Sequence, residues 1–151
     1  MPPIQAGHPA PDFTTKDQHG TEFTLSSLKG KRKVVLAFYP FDWSPVCTQE
    51  NACFTNDLPR FSEADTEVFG VSCDSMWSHK AWAEKLGLKH RLLADVKREI
   101  CKAYGLYNEA IGASERATVV IGKDGAVKYV KVQPIKEARK DEEVLAALAS
   151  A

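Results

Sequence analysis

The chain alternates short apolar runs with segments of helical period. Val34-Val35-Leu36-Ala37-Phe38-Tyr39 is an unbroken apolar, β-branched and aromatic run that stops at Pro40. Such a run predicts a strand buried on both faces, as at the centre of a parallel sheet. Glu67-Val68-Phe69-Gly70-Val71-Ser72-Cys73 predicts a second strand, and Ala117 to Ile121 a third. Lys123-Asp124-Gly125 then reads as a hairpin turn, with Ala126 to Val132 pairing back. Near the start, Phe13 to Thr15 and Thr21 to Thr24 flank Asp17-Gln18-His19-Gly20, which predicts a small N-terminal β-hairpin. Leu25 to Leu28, stopped by Gly30, fits a single helical turn.

Four longer segments carry helical period. The first runs from Pro45 to Leu58 and should break or kink at Pro59, because proline lacks the N–H that the ladder needs. The second covers Ser78 to Leu86 and stops at Gly87. A short extended piece, Arg91 to Leu93, leads to a third helix from Val96 to Tyr104, closed by Gly105. Glu137 to Ala149 is a terminal amphipathic helix. Helices interleaved with buried strands, plus one late hairpin, predict an α/β fold: a mixed β-sheet flanked by helices on both faces. The 151 residues fit one domain, spanning 1–151.

Composition narrows the function classes. Hydrophobic residues make up 44%, as expected for a chain with a real core, and 20 basic residues balance 20 acidic ones. A nucleic-acid binder usually carries a basic stripe. The one basic run, Lys29 to Lys33, reads as a solvated loop before a strand, so no nucleic-acid partner is expected. No segment approaches the roughly 18 apolar residues of a membrane span. The first seven residues lack a secretory pattern. A soluble cytoplasmic protein without membrane partners is therefore expected.

Cysteines stand at 47, 53, 73 and 101, with five, nineteen and twenty-seven residues between them. None forms C-x-x-C, so zinc-ribbon and dithiol motifs are unsupported. His79 and His90 show no metal spacing either, so no metal or cofactor is expected. In a reducing compartment each cysteine defaults to a small buried hydrophobe. Cys47 departs from that default. Ser44 is a good N-cap, Pro45 suits the first helical position, and Cys47 falls at the third. Its sulfur there lies beside backbone N–H groups without helical partners and the positive end of the helix dipole. That setting favours the thiolate, the reactive form of cysteine. The preceding strand places the site at the C-terminal edge of the sheet, where α/β proteins bind ligands.

Pro40-x-x-x-Ser44-x-x-Cys47 resembles the P-x-x-x-[TS]-x-x-C signature of peroxiredoxins. Gly7 to Phe13 is similar to their opening segment, and Lys31 to Pro40 to the strand leading into their active site. Val71 to Ser75 resembles their next strand end. Arg116 to Ile121, followed by Asp124-Gly125, is similar to the segment carrying their active-site arginine. The resemblance implies a thioredoxin-like fold and a peroxidase that reduces hydrogen peroxide or organic hydroperoxides through a Cys47 sulfenic acid. It implies that the Ser44 hydroxyl, the Cys47 N–H and the Arg116 guanidinium act as donors to the reacting oxygens, with Pro40 shaping and drying the pocket. Glu50 resembles a residue that orients the arginine, and a solvated helix face is the alternative. Trp82 resembles a tryptophan near the pocket in part of the family, with core packing the alternative. A homodimer is a further implication.

The sulfenic acid needs a second thiol. Cys53 lies about 9 Å along an intact helix from Cys47, beyond the roughly 7 Å reach of a disulfide. The bacterioferritin-comigratory (Q) type has a resolving cysteine five residues on, and here that position is Ala52. Phe54 to Phe61 is more similar to the one-cysteine alkyl hydroperoxide reductase E group. Three recycling routes follow. One uses an external reductant such as thioredoxin, a glutaredoxin-like protein or a low-molecular-weight thiol. Another uses Cys53 as resolving thiol after local unfolding, and the third uses another pair, with Cys73 or Cys101 as the resolving thiol. Cys73, at the end of a core strand, should be buried, and Cys101 should lie on the inner face of its helix. Two rivals on the same fold are a thiol–disulfide oxidoreductase and a non-catalytic chaperone-like module.

Overall fold

A computed structural model describes residues 2–151. Its sheet has five strands in the order β5-β4-β3-β8-β9. They are β3 (Lys33–Phe38), β4 (Thr66–Ser72), β5 (Arg91–Ala94), β8 (Arg116–Ile121) and β9 (Val127–Gln133). β3 runs parallel to β4, and β4 to β5, whereas β8 is antiparallel to both β3 and β9. The sheet is mixed, as predicted, and the unbroken apolar run sits at its centre.

Strand alternation divides the core. Val34, Leu36 and Phe38 of β3 face one layer with Phe69, Val71, Leu93, Val119 and Tyr104. Val35 and Ala37 face the other layer with Phe54, Phe61, Val144 and Leu148. Because side chains alternate along a strand, one apolar run fills both layers. The first layer is covered by α3 (Glu99–Ala103) and by the hairpin β1 (Thr14–Lys16) and β2 (Glu22–Thr24). The second is covered by α1 (Pro45–Glu63) and α4 (Asp141–Ala149). A third cluster, of Tyr39, Cys47, Trp82, Ala83, Leu88 and Leu92, joins α1 to α2 (Met76–Leu86). No helix among the described residues is long and apolar enough to cross a membrane.

Several boundaries differ from expectation. α1 does not end before Pro59 but continues to Glu63. Phe61, beyond the proline, is fully buried and packs on Phe54 with ring centroids 5.7 Å apart. Burying such a ring contributes about 2–3 kcal/mol, enough to offset the ladder bond that Pro59 cannot make. α2 begins two residues early, at Met76, because the Ser75 hydroxyl caps it by accepting the Ser78 N–H at 3.1 Å. α3 starts only at Glu99. The Asp95 carboxylate accepts the Ile100 and Cys101 N–H groups at 3.0 and 2.8 Å, and Arg98 takes a left-handed φ of 62°. α4 starts at Asp141 rather than Glu137, since residues 134–140 are held against the sheet by Arg139. Tyr107–Asn108 (β6) and Ala113–Ser114 (β7) form a short unpredicted hairpin. The single turn over Leu25–Leu28 is a 3-10 helix.

Candidate active site

β3 ends at Phe38, and residues 39–44 carry the chain to the N-terminus of α1. Ser44 has extended backbone angles and Pro45 is the first helical residue, so Cys47 is the third. The first intrahelical bond is Thr48 N–H to the Ser44 carbonyl, at 2.9 Å. The Cys47 N–H precedes that bond and belongs to the donors a helix leaves free. One expectation is corrected. The Ser44 side chain does not cap the helix; its hydroxyl donates to the Phe41 carbonyl at 3.0 Å. This bond closes the loop on itself, with Trp43 at a φ of 73°.

Cys47 is fully buried. Arg116, the first residue of β8, reaches it from across the sheet, with Nη2 3.2 Å from Sγ. The same guanidinium bonds Glu50 through Nη1, and its Nε donates to the Ile135 carbonyl at 2.8 Å. Glu50 lies one turn after Cys47 and is buried, so the solvated-face alternative is set aside. Its second oxygen accepts Arg139 Nε at 2.9 Å and the Arg139 backbone N–H at 2.7 Å. Arg139 also donates to the carbonyls of Phe38 (2.6 Å) and Ala117 (3.0 Å). Two guanidiniums thus surround one carboxylate in a water-poor interior. One positive charge is left over within the cluster, and Arg116 presents it to Cys47 Sγ.

Arg139 is absent from the sequence-based expectations. It stands in Lys136-Glu137-Ala138-Arg139-Lys140, a run that reads as the start of a solvated helix. Its charge is indistinguishable there from its neighbours', and only the return of the C-terminal segment over β8 exposes its role.

A second network holds Cys47 from behind. Asn51 donates through Nδ2 to the Cys47 carbonyl at 2.9 Å. Its Oδ1 accepts from His90 Nε2 at 2.8 Å, and His90 Nδ1 accepts from the Thr55 hydroxyl at 2.9 Å. Thr55 in turn accepts the Lys89 N–H at 3.0 Å. Burial pushes the His90 imidazole down to about 3, so it remains neutral, as one donor and one acceptor require. Gly70 makes room for this arrangement: a Cβ there would lie 3.1 Å from Asn51 Oδ1 and 2.8 Å from Leu92.

The loop before Cys47 is anchored through Asp42. Its carboxylate accepts from the Tyr39 hydroxyl (2.6 Å) and the Ser78 hydroxyl (2.9 Å) and faces His79 Nδ1 at 2.7 Å. His79 Nε2 donates to the Leu93 carbonyl at 3.1 Å. Burial and the neighbouring Asp42 raise the Tyr39 phenol, which stays a donor. Asp74 accepts the Asp42 N–H at 2.9 Å. His79 thus braces the loop before Cys47 through Asp42, and His90 braces Cys47 within α1 through Asn51. Pro40 is buried at the loop's start. Trp82 is fully buried, 5.6 Å from the Tyr39 ring, in the apolar cluster that includes Cys47. It is both core and the dry wall of the site.

The remaining cysteines separate. Cys53 is exposed on α1, about 240° around the helix axis from Cys47 at 3.6 residues per turn. Burial, with Asp141, Asp57 and Glu50 nearby, raises its thiol above the ordinary value. Cys73 lies one residue past β4 and is half-buried rather than buried. Cys101 is buried on α3, as expected.

Residues 6–130 match the AhpC/TSA family. The chain is 39% identical over 128 residues to a chloroplastic peroxiredoxin Q of Triticum aestivum, an alignment covering 84% of this chain and 58% of the wheat protein. It is 38% identical to a chloroplastic 2-cysteine peroxiredoxin of Chattonella marina var. antiqua, covering 96% of this chain and 79% of that one. The chain thus spans less than two thirds of the wheat relative's length. Reduced 2-Cys peroxiredoxin of Plasmodium vivax superposes with a TM-score of 0.90 at 31% identity, covering 97% of this chain and 81% of that chain. Peroxidoxin BcpB of Mycobacterium tuberculosis superposes at 0.88 and 28% identity, covering 97% of each chain. With this fold and with Cys47, Arg116 and Glu50 joined at one sheet edge, the chain belongs to the AhpC/TSA family of peroxiredoxins.

Proposed function

We propose that this protein is a thiol-dependent peroxidase acting on hydrogen peroxide and organic hydroperoxides. The carrying observation is the 3.2 Å contact between Arg116 Nη2 and Cys47 Sγ inside a buried charge cluster. The Cys47 thiolate attacks one peroxide oxygen and the O–O bond breaks. The second oxygen takes up a proton and leaves as water or an alcohol, and Cys47 becomes a sulfenic acid. Negative charge moves from sulfur to the departing oxygen. Donors already aimed at that path lower the barrier most. Arg116, the Cys47 N–H and, after leaving the Phe41 carbonyl, the Ser44 hydroxyl fill that role, while Pro40 and Trp82 exclude water.

The reading extends to recycling by an external thiol. That thiol attacks the Cys47 sulfenic acid, releasing water and leaving a mixed disulfide, which a further thiol reduces. A thioredoxin, a glutaredoxin-like protein or a low-molecular-weight thiol is suited to the step. The intact α1 and the outward Cys53 support this route over a Cys47–Cys53 disulfide. A reducing, cytoplasm-like compartment and a homodimer belong to the same proposal. Exposed Phe41 and Trp43 in the active-site loop support the second, which sedimentation would check.

Stopped-flow oxidation by hydrogen peroxide provides the test. The Cys47→Ser variant should lose the fast, Cys47-dependent phase of peroxide consumption, and a variant that reacts as fast as the wild type would refute the assignment. Peptide mapping after one equivalent of peroxide tests recycling, because a stoichiometric Cys47–Cys53 disulfide in the monomer contradicts the external-thiol route. Insulin reduction separates the thiol–disulfide oxidoreductase rival. A chaperone-like module predicts that Cys47 reacts no faster than a free thiol.

A further inference from the structure

Two thiols outside the Cys47 site lie in contact. Cys73 Sγ is 3.8 Å from Cys101 Sγ, although 28 positions separate them in sequence. The backbone around both is tied down. The Asp95 N–H donates to the Ser72 carbonyl at 2.8 Å, which binds the end of β4 to the segment after β5. The Asp95 carboxylate then accepts the Ile100 and Cys101 N–H groups, which fixes α3 against that same point. A disulfide is about 2.05 Å long, so the sulfurs need to close only about 1.8 Å, a distance that side-chain rotation can cover.

We propose that Cys73 and Cys101 are a second redox couple of this protein, forming an intramolecular disulfide under hydroperoxide independently of Cys47. The two thiols have unequal settings. Cys73 is half-buried and can be reached, whereas Cys101 is buried. A hydrogen bond from the Cys101 thiol lowers Cys73 below the ordinary thiol value, with Arg98 adding to the effect. The same contact, burial and Asp95 push Cys101 up. Cys73 is then the attacking thiolate and Cys101 the protonated resolver.

The Cys73 thiolate attacks a peroxide oxygen, the O–O bond breaks, and the other oxygen leaves as water or an alcohol after protonation. Cys73 is now a sulfenic acid. The Cys101 sulfur attacks it, the S–O bond breaks, and the hydroxyl leaves as water with the Cys101 proton. In sum, two thiols and one hydroperoxide give one disulfide, one alcohol (or water) and one water. Asp95 lies close enough to complete a three-ligand cation site with the two sulfurs. Its oxygens, however, already accept the two N–H groups of α3, which favours the disulfide. Asp74, next to Cys73, holds the Asp42 N–H of the Cys47 loop, so the couple sits one residue from a brace of the first site.

The test uses the Cys47→Ser/Cys53→Ser double variant, which leaves only Cys73 and Cys101. The full chain is treated with excess hydrogen peroxide, denatured, alkylated and digested. The expected result is the loss of two hydrogens from the intact monomer and a Cys73–Cys101 linked peptide pair that dithiothreitol separates. Should the double variant not fold, the same mapping is done on the unsubstituted protein, where the same linked pair is expected. Both thiols still open to alkylation, Cys73 oxygenated with Cys101 free, or a Cys73-linked dimer would each overturn the proposal. So would stoichiometric zinc held by the pair in the purified protein. The readout does not depend on peroxidase turnover, so its failure is distinguishable from failure of the Cys47 reading.

Discussion

At the scale of single residues, the site is a problem of charge in a dry interior. Arg116 holds Cys47 with one nitrogen and Glu50 with another, a division that the forked guanidinium allows and an ammonium does not. Arg116→Met should therefore lower the rate of Cys47 oxidation by about 10²–10³-fold, the usual effect of removing one preorganised donor. Arg116→Lys should recover only part of it. Stopped-flow measurement under pseudo-first-order peroxide checks both. His90 makes a different demand, because it must stay neutral. Its folded value of about 3 lies below the ordinary imidazole value of 6.5. The unfolded chain therefore binds a proton first as pH falls. The stability that His90 confers is complete above pH 6.5 and is lost progressively toward pH 3. Between pH 6.5 and 5 the loss is about 2 kcal/mol for one proton. Urea unfolding at those two pH values should show that slope in the wild type and a shallower one in His90→Asn.

At the scale of elements, α1 shows how tertiary packing overrides a local rule. Proline inside a helix costs about 3 kcal/mol in an isolated setting, yet α1 passes through Pro59. Phe54 on one side and Phe61 on the other are both fully buried, so the helix is clamped across the defect. Pro59 itself faces solvent. Pro59→Ala should therefore restore a ladder bond without disturbing the core and stabilise the fold by about 1 kcal/mol, with peroxide reactivity unchanged. A rise in urea midpoint at constant m-value would confirm it. α1 also decides which cysteines can meet. Its buried face carries Cys47, Glu50, Asn51, Phe54 and Phe61, and its outer face carries Cys53.

At the scale of the whole molecule, the site is a junction of distant segments. Arg116 is 69 positions from Cys47, and Arg139 is 89 from Glu50. The C-terminal segment closes the cluster by returning over β8, where Arg139, just before α4, bonds Glu50 and the Phe38 and Ala117 carbonyls. Arg139→Met should leave Glu50 half-compensated and open bonds to the Phe38 and Ala117 carbonyls. The expected cost is about 3 kcal/mol, the lower end for breaking a buried pair, because Arg116 remains. Peroxide reactivity should fall as well, since Arg116 loses the carboxylate geometry that aims it. Chemical denaturation and stopped-flow oxidation on the same variant separate the two effects.

Local patterns settled much of this in advance. The apolar run 34–39 specified a central strand because only burial on both faces accommodates six consecutive apolar side chains. Ser44, Pro45 and the spacing to Cys47 specified a helix start, because proline at the first helical position forfeits no ladder bond. The family motifs added Arg116. The rest depended on segments far apart in sequence. Nothing local distinguishes Arg139 from its charged neighbours, or a histidine that braces the Cys47 loop from one that merely fills a core. The Ser44 hydroxyl chose Phe41 over the helix end, a matter of loop geometry. The approach of Cys73 to Cys101 required β4, β5 and α3 to converge on Asp95. Helix and strand formation obey short-range periodicity, whereas buried charge must find its partners wherever the chain returns, and only the tertiary fold decides where that is.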